Sequence, residues 1–323
     1  MTQPRKHHYV PQFYLAGFTK NDNKDGRLFV FDIQQKKSWA STPKRTAHKR
    51  DFYRVEAGAG GDPMAIEKAL SQLETRWKAA LTTVIETRTL PDGDEFADLM
   101  IFVAFLAVRV PRIREKVADF VDRVSKTQIR AMFATKEGQE KVREILAEHG
   151  HEMSDEEFAQ VVQFGVSDDY DVDYEPSWHV REMVRMAATL APLLSLRKWR
   201  LWEVDAEAPD LICCDCPVVP AWRTPMPGLT APAFGTPNTI VSVPLNRRMV
   251  LVSMIEEELP PETLDLEGVA RINSMTGRNA NQIYSSENDF VWMMRDYRVG
   301  KSAQLLEALG EAAQAKDAGG SVD

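Results

Sequence analysis

LAPLLSLRKWRLWEV, residues 190–204, changes its period in the middle. Up to about Leu196 the chain reads as the end of a helix that starts at Pro176. From Trp199 to Val204 it alternates as a strand does. Upstream of this switch the pattern is helical over more than a hundred residues. Ile66, Leu70, Leu73, Trp77, Leu81, Val84 and Ile85 recur at three- and four-residue steps. Asp94–Val110 is a second helix with an apolar centre too short to span a bilayer. Pro111 restarts or kinks the chain, Arg112–His149 continues as a long helix interrupted near Gly138, and Ser154 with Glu157 fits a capping box. Asp168–Glu175 is an acidic loop.

Downstream of the switch, Leu211–Cys214, Thr239–Val243, Met249–Ile255 and Phe290–Met294 read as strands. The proline- and glycine-bearing stretch 219–237 reads as a long irregular loop. Leu264–Tyr284 and Ser302–Ala315 read as helices. The first 55 residues are again rich in β-formers: RLFVFDI at 27–33, a hairpin partner at 36–40, and a short strand at 51–55. Segregated runs of strand, helix and strand favour α+β over an alternating α/β fold. The expectation is one globular domain over 1–315. It has a β-rich head (1–55), a helical middle (64–197) and a β-rich part with C-terminal helices (198–315), and 316–323 form a disordered tail. With few strands at either end, head and C-terminal part are expected to meet beside the helices.

The chain has 323 residues, 44% hydrophobic and 27% charged, which excludes disordered, collagen-like and disulfide-scaffold classes. The net charge is −8, but residues 1–54 hold twelve Lys/Arg against four Asp/Glu. A positive head on an acidic body is suited to steering an anion, or simply packs against that body. Three cysteines fall in Cys213-Cys214-Asp215-Cys216, a poor disulfide framework and, without a second pair, a poor zinc site. They read as small core residues. With no apolar leader in MTQPRKHHYV, a reducing, cytoplasmic setting and no membrane partner are expected.

KHHYVPQFYL, residues 6–15, is the densest chemical signal. Adjacent histidines in an extended segment face opposite sides, and histidine serves as general base or metal ligand near neutral pH. His48 and Asp51, in AHKRDFY, are candidates to join His7 or His8 in a mixed histidine and carboxylate site. Asp215 stands in a turn after a buried strand and is the third candidate carboxylate or histidine partner. Lys6, Arg45, Arg50 and Arg109 are candidate anion-binding residues, and Arg109 reads equally as half of a structural ion pair. His149-Gly150-His151-Glu152 suggests metal at first sight but reads better as a helix-ending turn. P-loop, dinucleotide, nucleophile-elbow and zincin motifs are missing, which argues against those enzyme classes.

The opening segment resembles the start of the bacterial domain of unknown function 4238 family. RLFVFDI, RDFY at 50–53, IEKALSQLE from Ile66, Lys198-Trp199, the Asp215-Cys216-Pro217-Val218 turn and VSVPLNRRMVL from Val241 are similar to that family in character. Ala16 stands where the family often has a basic residue. Cys214 and Cys216 replace its usual serine and asparagine. The resemblance implies a location for a site, not an activity.

Two functions follow as expectations. One is a phosphodiester hydrolase, nuclease-like, with His7, His8, His48, Asp51 and Asp215 as catalytic or ligand residues, a divalent metal ion as cofactor, and nucleic acid or another phosphate-bearing ligand as partner. The other is a non-catalytic binding or regulatory protein in which the histidines are bonded within the fold. No protein partner is named by the sequence.

Overall fold

The computed structural model describes residues 6–50, 52, 65–167, 169–172, 174, 176–224, 231–278, 280–305 and 307. The head begins with β1 (Lys6–His8) and a short helix α1 (Gln12–Ala16). Pro11 is fixed in an extended conformation before α1, and its carbonyl accepts from Tyr14 and Leu15, which starts the turn. β2 (Leu28–Asp32) and β3 (Lys37–Ser41) form the expected hairpin, with Leu28 opposite Ser41 and Asp32 opposite Lys37. The third head strand, β4 (His48–Arg50), precedes the expected position and pairs antiparallel with β1. Residues 51 and 53–55 lie outside the described residues.

The helices follow the apolar periodicity. α2 (Ala65–Thr87) and α3 (Gly93–Val108) pack through Trp77, whose ring centroid lies 4.9 Å from Phe105 and 5.9 Å from Phe102. Pro111 begins a new helix, α4 (Pro111–Phe133). The break before α5 (Lys136–Glu148) falls at 134–135, ahead of Gly138, because Thr135 caps α5 through its side chain. α6 (Asp155–Val166) carries the full Ser154/Glu157 capping box. α7 (Pro176–Ser195) ends where the period changes.

β5 (Lys198–Val204) is the alternating strand of the switch. β6 (Cys213–Cys214) is shorter than expected. The expected loop 219–237 begins with a strand, β7 (Val219–Trp222), antiparallel to β8 (Thr239–Asn246). Pro220 is tolerated there because β7 is an edge strand. β9 (Met249–Met254) is buried throughout, and β10 (Thr263–Leu264) joins β5 in parallel. The expected helix 264–284 is corrected: α8 (Leu266–Gly277) stops at Gly277, and β11 (Gln282–Ser285) is a strand. β12 (Val291–Met293) and β13 (Val299–Lys301) make a hairpin. The last helix begins at Ser302; its expected later residues lie outside the described set beyond 307.

Among the described residues there is a five-stranded sheet, β10-β5-β9-β8-β7, and a four-stranded sheet, β3-β2-β11-β6. In the second, β11 pairs with β2 from the head and with β6 from the C-terminal part. Head and C-terminal part therefore meet in one sheet, and the fold is α+β. The core beside them is built from Tyr14, Leu15, Trp77, Phe102 and Leu106 with Val241, Leu245 and Leu251.

The chain divides into two compact units. The described residues up to Val110 and from Val180 onward form the first, which holds every sheet. Pro111–His179 forms the second, where Phe133 meets Phe158 edge-on and Gly165 of α6 lies against Phe133. Among the described residues, no helix is long and apolar enough to cross a membrane.

Candidate functional site

In the first unit a groove of about 860 Å³ runs between the head and α2. Its α2 wall is one helical stripe: Leu70, Glu74, Lys78, Leu81 and Ile85. The facing wall is Lys6, His7 and His8 of β1, then Gln12, Phe13, Ala16 and Gly17 of α1. Asp22, Asn23, Lys24 and Asn246 complete it, together with Arg109, the residue that ends α3. Gly17 permits the close approach of β8: a Cβ there would sit 2.8 Å from the Asn246 Cβ.

Arg109 is 3% exposed and ties three elements together. Its Nη1 donates to Glu74 Oε1 at 3.0 Å, and its Nη2 donates to the His8 carbonyl at 2.6 Å. This realises the ion pair that the sequence offered as one reading. His8 packs edge-on to His48 with ring centroids 5.4 Å apart, as the β1–β4 register places the two opposite each other. The Gln12 amide nitrogen donates to His8 Nδ1 at 3.3 Å, which leaves the ring proton on Nε2, 3.3 Å from the Lys44 carbonyl. Burial lowers the His8 pKa to about 4; the Lys44 bond opposes this, and the neighbouring His48, Arg109 and Lys6 add to it. His8 is therefore neutral at neutral pH. Burial, then Lys6, also lowers the pKa of His48.

Of the sequence candidates, Lys6, His7, His8 and Arg109 line the groove, with His7 buried, and His48 touches it through His8. Arg45 and Arg50 are exposed and do not line it. Asp51 lies outside the described residues. Asp215 is buried elsewhere in the unit: its Oδ1 accepts from the Asn281 N–H at 3.0 Å, and its own N–H donates to the Gln282 carbonyl. Asp215 thus fixes the turn into β11 and is not among the groove's lining residues. Sequence reasoning missed Gln12, Glu74, Lys78, Lys24 and Asn246. The α2 periodicity marks its apolar stripe but does not say which charged residues flank an open side.

Among the described residues no group of three His, Cys, Asp or Glu side chains is placed to hold a metal ion. Cys213 and Cys214 are fully buried, and burial pushes both thiols up. His149 bonds the Ile145 carbonyl from Nδ1, and Gly150 follows at φ +83°, so HGHE is the helix-ending turn.

The family described as "Protein of unknown function (DUF4238)" matches residues 6–289. The chain belongs to the DUF4238 family. The DUF4238 match begins at Lys6, the first groove residue, and contains every residue lining the groove. Comparison of this DUF4238 member with curated proteins and with solved structures gives no match.

Proposed function

We propose that the chain is a binding protein whose groove takes a phosphate-bearing anionic ligand. The observation that carries this reading is the gathering of the exposed Lys6, Lys24 and Lys78 on one groove of a chain whose net charge is −8. The lining also holds Asp22 and Glu74, but Glu74 is already paired with Arg109, so the groove keeps a net positive charge, which raises the local concentration of a counter-ion. Arg109, bonded to Glu74 and to the His8 carbonyl, fixes the groove wall and leaves the three exposed lysines to meet the ligand. Neutral His8 supplies a fixed wall of the site.

The hydrolase reading asks for more. A base with a pKa near 4 takes up a proton weakly at neutral pH, and both His8 nitrogens already have partners within the fold. These features support binding over catalysis. Calorimetric titration with inorganic tripolyphosphate at low salt tests the reading. Wild type is expected to bind, and Lys78→Glu to bind about tenfold more weakly, as one cation becomes an anion. Absence of binding sinks the proposal. Steady phosphate release by wild type, lost in a folded His8→Gln protein, returns the chain to the hydrolase class.

A further inference from the structure

The groove is long and thin. Leu70 and Ile85 both line it and are fifteen residues apart on α2, so at 1.5 Å per residue it follows the helix for about 22 Å. The volume of about 860 Å³ is the space open to the centre of a water-sized sphere; over that length it gives a section of roughly 40 Å², and a radius of about 1.4 Å added at each wall makes the groove about 9–10 Å across. The major groove of duplex DNA alone is about 12 Å wide, so a duplex does not enter this channel. A compact anion fills only a fraction of it.

The cations are distributed along the length. Arg109 contacts Glu74, near the Leu70 end, and bonds the carbonyl of His8, which places Lys6 at that end too. Lys78 stands one turn further along α2. The facing wall runs from β1 through α1 and Gly17 to the Asp22–Lys24 turn, where Lys24 lines the groove. Beside the charges lie partly exposed apolar surfaces from Phe13 and Ile85. Spaced cations track a chain of phosphates, and apolar surfaces beside them take the faces of bases without reading sequence.

We infer that the groove's occupant is a single-stranded oligonucleotide, laid in an extended conformation along α2. This rests on the anion-binding reading above and names its ligand class. A stacked strand advances about 3.4 Å per phosphate, so the groove covers about six or seven nucleotides when stacked and fewer when stretched.

The test is calorimetric titration of the full chain with oligodeoxythymidylates of one, two, four, seven and twelve nucleotides. A duplex and a linear polyphosphate of seven phosphates serve as comparison ligands. Affinity is expected to rise at least tenfold from one to four nucleotides and to level off by seven. With the three lysines engaged, the logarithm of affinity should fall with the logarithm of salt at a slope of about −2. Lys6→Glu and Lys24→Glu, at exposed positions that line the groove, should each weaken the seven-mer at least fivefold. Each should leave the thermal transition near that of wild type.

Equal affinity for one and seven nucleotides would overturn the inference and leave the anion-binding reading standing. So would a polyphosphate or duplex that binds as well as the strand, or a seven-mer indifferent to both substitutions. Failure of tripolyphosphate and oligonucleotide alike removes both readings.

Discussion

His8 joins a backbone bond, a side-chain bond and a ring contact in one partly buried position. Its pKa of about 4 in the fold lies below the ordinary 6.5, so the unfolded chain binds the proton more readily. Stability tied to His8 is therefore fully present above pH 6.5 and is lost as pH falls through the window from 6.5 to 4. Proton titration of the His8 ring by NMR should show a midpoint near 4, and His8→Gln should flatten the fall in stability across that window. A ring that titrates near 6.5 would refute the burial argument. This scale also shows how legible the site was. His7, His8, Lys6 and Arg109 stood out because polar residues beside aromatic or apolar runs are costly unless employed. Gln12, Glu74 and Lys78 sit in ordinary amphipathic sequence, and only the meeting of α1 with α2 gives them a common space. Asp215 looked equally chemical, yet its carboxylate is used by the backbone turn at Asn281.

Arg197, the residue between α7 and β5, holds the far end of the five-stranded sheet. It is 3% exposed and donates to Ser253 Oγ and O, Thr239 Oγ1 and O, and the Phe234 carbonyl. Every acceptor is neutral, so the guanidinium acts as a five-donor clamp on the ends of β8 and β9. Lysine has three donors and no planar fork. Arg197→Lys should cost about 2–4 kcal/mol of stability, read as a lower urea midpoint at unchanged slope. A midpoint within error of wild type would show that the clamp is dispensable. Elements differed in legibility for a related reason. α2, α6 and β5 announce themselves by local period and capping. β11 does not: Gln282–Ser285 follows α8 closely and has no alternation to set it apart. Its strand conformation comes from two partners remote in sequence, β2 and β6. Tertiary pairing decides its form, and local propensity does not.

At the scale of the whole molecule the two units differ in how much apolar surface they bury. The first unit holds Trp77, Tyr14, Phe102 and Tyr284 fully buried. Among described residues 111–179, Phe133 and Phe158 are the buried hydrophobic side chains. Local opening follows low buried contact. Amides of α4, α5 and α6 should therefore exchange with deuterium well before those of α3 and β9, by at least tenfold in rate. Equal protection throughout would show that the chain opens as one cooperative body. Local periodicity does not announce this division. The helical periods of α2–α7 look alike, and only the partners of each apolar stripe separate them.

β2 has one further property that belongs to the timing of synthesis. Its neighbour β11 lies far along the chain: Asp32 is bonded by Gln282 across 250 residues. At translation rates of 5–20 residues per second, roughly 10–50 s pass between the emergence of the two strands. Throughout that interval the β2–β3 hairpin presents a bare, hydrophobic edge to the crowded surroundings of the ribosome. The edge of β2 that faces β11 in the fold is thus open to pairing with other strands until residues 282–285 arrive.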